Sequence, residues 1–167
     1  MSETSRTSRT SPLHVTFICS GNICRSPMAE KMFAHQIFKR GLDGQVRVSS
    51  AGTGGWHAGA GADERAVRVL AERGYPTTHR AAQISDYHLS ADLVIALGRN
   101  HLRMLTEWGV DTQRLRMLRS FDPRCGAHVP DVEDPYYGTD ADFSEVFDVI
   151  DAALPGLHAW VDDRLAG

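Results

Sequence analysis

Cys19 and Arg25 are separated by five residues in the segment Cys19-Ser20-Gly21-Asn22-Ile23-Cys24-Arg25-Ser26. A cysteine thiolate is a strong nucleophile, and an arginine fork grips two oxygens of a tetrahedral anion, so the pair suits attack on a phosphate ester. The spacing alone is weak in a chain this rich in arginine; the setting is more specific. Leu13–Cys19 (LHVTFIC) is an apolar, β-branched run that reads as a buried strand, and a helical pattern resumes at 27–40. Gly21 and Asn22 tolerate the backbone angles of a tight turn. The amides of Ser20, Gly21, Asn22, Ile23, Cys24, Arg25 and Ser26 would then converge on one point, as at other helix N-termini that bind oxyanions, and the same field favours a thiolate at Cys19. Ser26 is expected both to cap the helix and to offer its hydroxyl to the Cys19 sulfur.

Displacing an ester oxygen calls for an acid at the leaving group. The only acidic residue before Cys19 is Glu3, so the acid must lie downstream. The stretch 131–138 (DVEDPYYG) carries three carboxylates. Asp134 is the choice among them, because Pro135 biases it toward extended backbone and stiffens the loop. The bland alternative is a solvated acidic loop. Tyr136 and Tyr137 would form one wall of a slot for an aromatic ring. Trp56, in a stretch with five glycines in ten positions (52–61), would form the other, unless its ring folds back onto the core. A slot one ring deep suits phosphotyrosine better than the shorter phosphoserine.

These residues need a frame that brings distant loops to one rim. Strands are expected at Leu13–Cys19, 46–50, 93–97 and 115–118. Helices are expected at 27–40, 63–73, 100–108 and, interrupted near Pro155, from 143 to 154. Alternating strands and helices imply a small doubly wound α/β fold: a four-stranded parallel sheet with helices on both faces and the phosphate-binding loop after the first strand. With 167 residues, 42% of them hydrophobic, the chain can build one core without staples. Residues 1–12 read as a disordered tail and 13–167 as a single domain.

Several function classes recede on composition. A net charge of -3 gives no reason to expect nucleic acid or anionic lipid as a partner. No apolar run approaches a membrane span. Three cysteines do not make a disulfide framework and fit a reducing compartment. The histidines show no metal-binding spacing, alternating calcium ligands from Asp131 would run into Pro135, and no dinucleotide or mononucleotide glycine fingerprint is met. Neither metal nor cofactor is expected, and a cytoplasmic monomer is, with export by a route lacking a signal peptide as the alternative.

The segment from Cys19 to Ser26, followed by Pro27-Met28-Ala29-Glu30, resembles the signature loop of the low-molecular-weight protein-tyrosine phosphatases, the actinobacterial members in particular. The likeness extends through Ser49 to Thr53, His79, Ala82-Gln83-Ile84 and Asp134-Pro135-Tyr136-Tyr137. It implies Cys19 as nucleophile, Arg25 as phosphate clamp, Asp134 as general acid, and Asn22, Ser50 and His79 as supports of the loop. It also implies a reversible disulfide between Cys19 and Cys24, with an inert packed Cys24 thiol as the alternative; whether Tyr136 or Tyr137 is itself the target of a tyrosine kinase stays open in the sequence. Gly98 departs from the family, whose members usually place aspartate there. Two other readings stay open: an arsenate reductase of similar fold, for which Cys125 is the one cysteine outside the loop, and a phosphotyrosine-binding module without catalysis.

Overall fold

The computed structural model describes residues 11–167, so most of the expected tail lies outside the described residues. Four strands, β1 (Leu13–Cys19), β2 (Val46–Gly52), β3 (Leu93–Ala96) and β4 (Leu115–Met117), form an all-parallel sheet in the order β2-β1-β3-β4. All seven residues of β1 are buried because it lies inside the sheet with both faces covered, which is why its sequence is a continuous apolar run. Its alternate side chains serve two cores. Val15 and Phe17 pack with Met28, Phe33, Phe143 and Leu154 on one face, while Ile18 packs with Val94 and Leu105 on the other.

The helices are α1 (Arg25–Lys39), α2 (Glu64–Glu72), the single turn α3 (Asp86–Leu89), α4 (Arg99–Glu107) and α5 (Asp140–Ala166). From β1 the chain goes first to β2 on one side and then to β3 on the other. The sheet therefore reverses direction beside the end of β1, the crevice where ligands bind in open α/β sheets.

Several expected boundaries move, among them the end of β2, which runs past 50 to Gly52, and the start of α5, which opens at Asp140 and not 143. Helix α1 starts at Arg25, not 27, with Cys24 at the cap position, so Ser26 lies inside the first turn and does not cap. Strand β4 stops at Met117, and Leu118 opens a 3-10 turn that ends at Phe121. Helix α5 runs straight through Pro155. Proline removes one helical hydrogen bond, but Pro155 and Asp151, whose carbonyl loses its donor, are both exposed, so water can satisfy it. The apolar stripe meanwhile continues through Ala153, Leu154, Leu157 and Val161. At Gly156 an added Cβ would run into the Phe121 carbonyl oxygen, so α5 and the 3-10 turn touch backbone to backbone there. No helix among the described residues is long and apolar enough to cross a membrane.

Buried histidines make this fold acid-sensitive. Burial lowers His14 and His101 from 6.5 to about 4, and it lowers His79, His88 and His158 in the same direction. The folded state thus refuses protons that the unfolded chain accepts. For His14 and His101 the stability is fully present above about 6.5 and falls as the pH drops toward 4, by at most about 1.4 kcal/mol per pH unit each, and the other three act in the same direction. Thermal unfolding followed from neutral pH to about pH 5 should show a falling midpoint. His14→Gln should flatten that dependence; a slope identical to that of the unsubstituted chain would refute the assignment.

Candidate active site

The loop after β1 is built by turning its carbonyls outward. Cys19 O accepts from Thr53 N at 2.8 Å, Ser20 O from Gly54 N at 3.1 Å, and Ile23 O from Asp63 N at 2.8 Å. Asn22 O accepts from His79 Nε2 at 2.8 Å. Among the described residues, no amide from Ser20 to Ser26 donates to a backbone carbonyl, so this set of N–H groups remains for the concave side. Gly52 permits the arrangement. A Cβ there would sit 2.6 Å from Ser20 O and 3.1 Å from Asn22 N, inside the backbone of the loop itself.

Asn22 is the one non-glycine residue with positive φ among the described residues, at 59°. Asparagine tolerates that left-handed conformation better than most side chains. Its buried amide holds it there: Nδ2 donates to Ser26 Oγ at 2.8 Å and to Ser50 Oγ at 2.9 Å, and Oδ1 accepts from Ala82 N at 2.9 Å. Ser50 in turn donates to Glu30 Oε1, whose carboxylate lies 3.8 Å from His79 Nδ1. Burial lowers the pKa of His79, which favours the neutral ring with its proton on Nε2, directed at Asn22. On the other side of the loop, the fully buried His101 of α4 bonds Ser20 Oγ through Nε2 at 2.9 Å.

Cys19, Arg25 and Asp134 meet at one cavity of about 230 Å³. The Cys19 sulfur is buried and lies 2.9 Å from Ser26 Oγ. The Arg25 guanidinium donates to Val132 O at 3.1 Å and approaches Asp134 Oδ2 at 3.4 Å, so one cation touches the loop that carries the carboxylate. Asp134 is half exposed, and its Oδ1 accepts from Tyr136 N at 3.1 Å. The walls are Ser20, Gly21, Ile23 and Cys24 below, with Trp56, His57, Tyr136 and Tyr137 at the mouth. Trp56 lies across Gly54, where any Cβ would meet its ring, and is 74% exposed rather than folded onto the core.

Cys24 is buried, and burial, followed by the nearby Asp63, pushes its thiol up to about 12. Gly98 also finds an explanation. A Cβ there would lie 3.4 Å from the Asp131 carboxylate, whose Oδ1 accepts from Arg99 N at the start of α4. An aspartate at 98 would face this second carboxylate and the Asn100 Oδ1, 3.1 Å from the same Cβ; here the Asp131 carboxylate sits at the helix N-terminus.

Sequence reasoning missed Glu30, His57, Asp63, Arg65 and His101. Glu30 had a signal, since it lies four residues after Ser26 on the same helix face. The others become neighbours of the loop only through the tertiary fold.

A family model for the low molecular weight phosphotyrosine protein phosphatases matches residues 14–166. The chain belongs to this family. It is 68% identical over 155 residues to low molecular weight protein-tyrosine phosphatase A of Mycobacterium tuberculosis, covering 93% of this chain and 95% of that one. It is 45% identical over 157 residues to the low molecular weight protein-tyrosine-phosphatase of Streptomyces coelicolor, covering 92% and 96%. The crystal structure of a protein tyrosine phosphatase from Entamoeba histolytica with Hepes in the active site superposes with a TM-score of 0.84 at 27% identity, over 91% of this chain and 98% of that one. The protein is thus a phosphatase, and its cleft is the one that sits at the reversal point of the sheet.

The contact between Gly52 and the loop is testable. Gly52→Ala should force the Ser20 carbonyl away, cost on the order of 1–3 kcal/mol in stability, and weaken competitive inhibition by inorganic phosphate. Unchanged phosphate inhibition would show that β2 does not shape the cradle.

Proposed function

We propose that the phosphatase hydrolyses phosphotyrosine in proteins through a phosphocysteine on Cys19. The observation that carries this reading is the convergence of the buried Cys19 sulfur, the Arg25 guanidinium and the Asp134 carboxylate on one cleft with aromatic walls. In the first step the Cys19 thiolate attacks phosphorus and the bond to the phenolic oxygen breaks. Arg25 and the loop amides stabilise the equatorial oxygens, and Asp134 gives its proton to the departing phenolate. In the second step the Asp134 carboxylate takes a proton from water as the water oxygen attacks phosphorus. The sulfur–phosphorus bond breaks, and Ser26 Oγ–H stabilises the leaving thiolate.

Trp56, Tyr136 and Tyr137 supply the faces between which a phenyl ring stacks. With its thiol pushed up to about 12, Cys24 does not compete for phosphorus and is available to close a disulfide only after Cys19 has been oxidised. Tyr137, 96% exposed, is the tyrosine a kinase would reach first.

Cys19→Ser should abolish release of phosphate from aryl esters. Asp134→Asn should lower kcat/KM by about 10²-fold or more for esters with poor leaving groups and much less for good ones. Equal losses across leaving groups would remove Asp134 from the acid role, and residual turnover in Cys19→Ser would exclude the phosphocysteine.

A further inference from the structure

Arg65 reaches both halves of this active site without entering it. Its guanidinium pairs with Asp63, Nε to Oδ1 at 3.0 Å and Nη2 to Oδ2 at 2.9 Å. The same group donates from Nη1 to Gly138 O at 2.7 Å and from Nη2 to Tyr136 O at 2.8 Å. It also lies over the Phe143 ring, 4.5 Å from the centroid, which fixes its plane against the start of α5. At the other end of the pair, Asp63 N donates to Ile23 O in the phosphate loop at 2.8 Å. One continuous chain of bonds therefore runs from the cradle, through Asp63 and Arg65, to the two carbonyls that follow Asp134.

From this geometry we infer that Arg65 is the positioning residue of the acid loop: its fork holds Tyr136 and Gly138 so that the Asp134 carboxylate stands over Cys19. The inference rests on the acid role proposed for Asp134 and adds the group that registers it against the cradle. A planar fork with five donors can serve Asp63 and two carbonyls together. A lysine ammonium, a compact point charge without the planar fork, can retain Asp63 but not the whole arrangement. Asp134 is itself half exposed, held among the described residues by Tyr136 N and the Arg25 contact, and the loop's internal bond from Gly138 N to Pro135 O closes a turn that Arg65 ties to the rest of the fold. Arg65 makes no contact with the cavity and is not a catalytic residue.

The test compares kcat/KM, which reports the first chemical step, on phenyl phosphate and on para-nitrophenyl phosphate. The variants are Arg65→Met, Arg65→Lys, Asp134→Asn and the double variant Asp134→Asn/Arg65→Met, each checked by thermal unfolding. Arg65→Met should lose about tenfold more on phenyl phosphate than on para-nitrophenyl phosphate, a fraction of a full general-acid effect. Arg65→Lys should recover thermal stability without recovering that ratio, and it carries the comparison if Arg65→Met does not fold. The double variant should show the leaving-group ratio of Asp134→Asn alone. Equal losses on both esters for the Arg65 variants, beside a selective loss for Asp134→Asn, would make Arg65 a fold staple and overturn the inference. Equal losses for Asp134→Asn as well would overturn the acid assignment on which it rests.

Discussion

Everything in this cleft depends on the backbone at Asn22 staying in the left-handed region. At that one residue the chain reverses so that the carbonyls on either side point outward and the amides inward. Isolated, a non-glycine residue with positive φ is an uncommon and costly conformer. Here four hydrogen bonds fix it: two from its side-chain amide to Ser26 and Ser50, one into its side-chain carbonyl from Ala82 N, and one into its main-chain carbonyl from His79. The four partners come from three parts of the chain, so the loop cannot relax unless α1, β2 and the 79–82 segment move together.

The same economy governs the electrostatics. A buried guanidinium is tolerated only when its donors are used, and Arg25 divides them between Val132 O and the Asp134 carboxylate. Both acceptors belong to the segment after β4, so the clamp on the anion also touches the acid loop that Arg65 holds. Neutral histidines complete the scaffold. His79 and His101, both held neutral by burial, bond the loop from opposite sides without placing a second positive charge against Arg25.

What could be read in the sequence follows from the range of the interactions. Strand β1, the helix after it and the loop between them are local, signalled by a continuous apolar run, a helical period and Gly21-Asn22, and the parallel sheet follows from their alternation with the later elements. Asp134 could be singled out because Pro135 and two tyrosines mark it. The start of α1 was misplaced because cap residues inform on a helix end only when their side chains cap, and Ser26 spends its hydroxyl on Cys19 and Asn22. The passage of α5 through Pro155 depends on that residue facing water, a property of packing. Arg65, Asp63 and His101 were invisible because nothing within several residues of them speaks of the loops they bond. The role of Gly98 emerged only with the Asp131 carboxylate beside it.

The central claim is that the outward-turned carbonyls and the buried guanidinium present a phosphoryl group to the Cys19 sulfur. The most direct measurement is a rapid acid quench of the unsubstituted protein during turnover of a phosphate-labelled aryl ester, followed by location of the label on the chain. The account predicts stoichiometric label on the Cys19 sulfur, lost on the timescale of turnover. Label on another residue, or phosphate release with no labelled protein at any time, would contradict it.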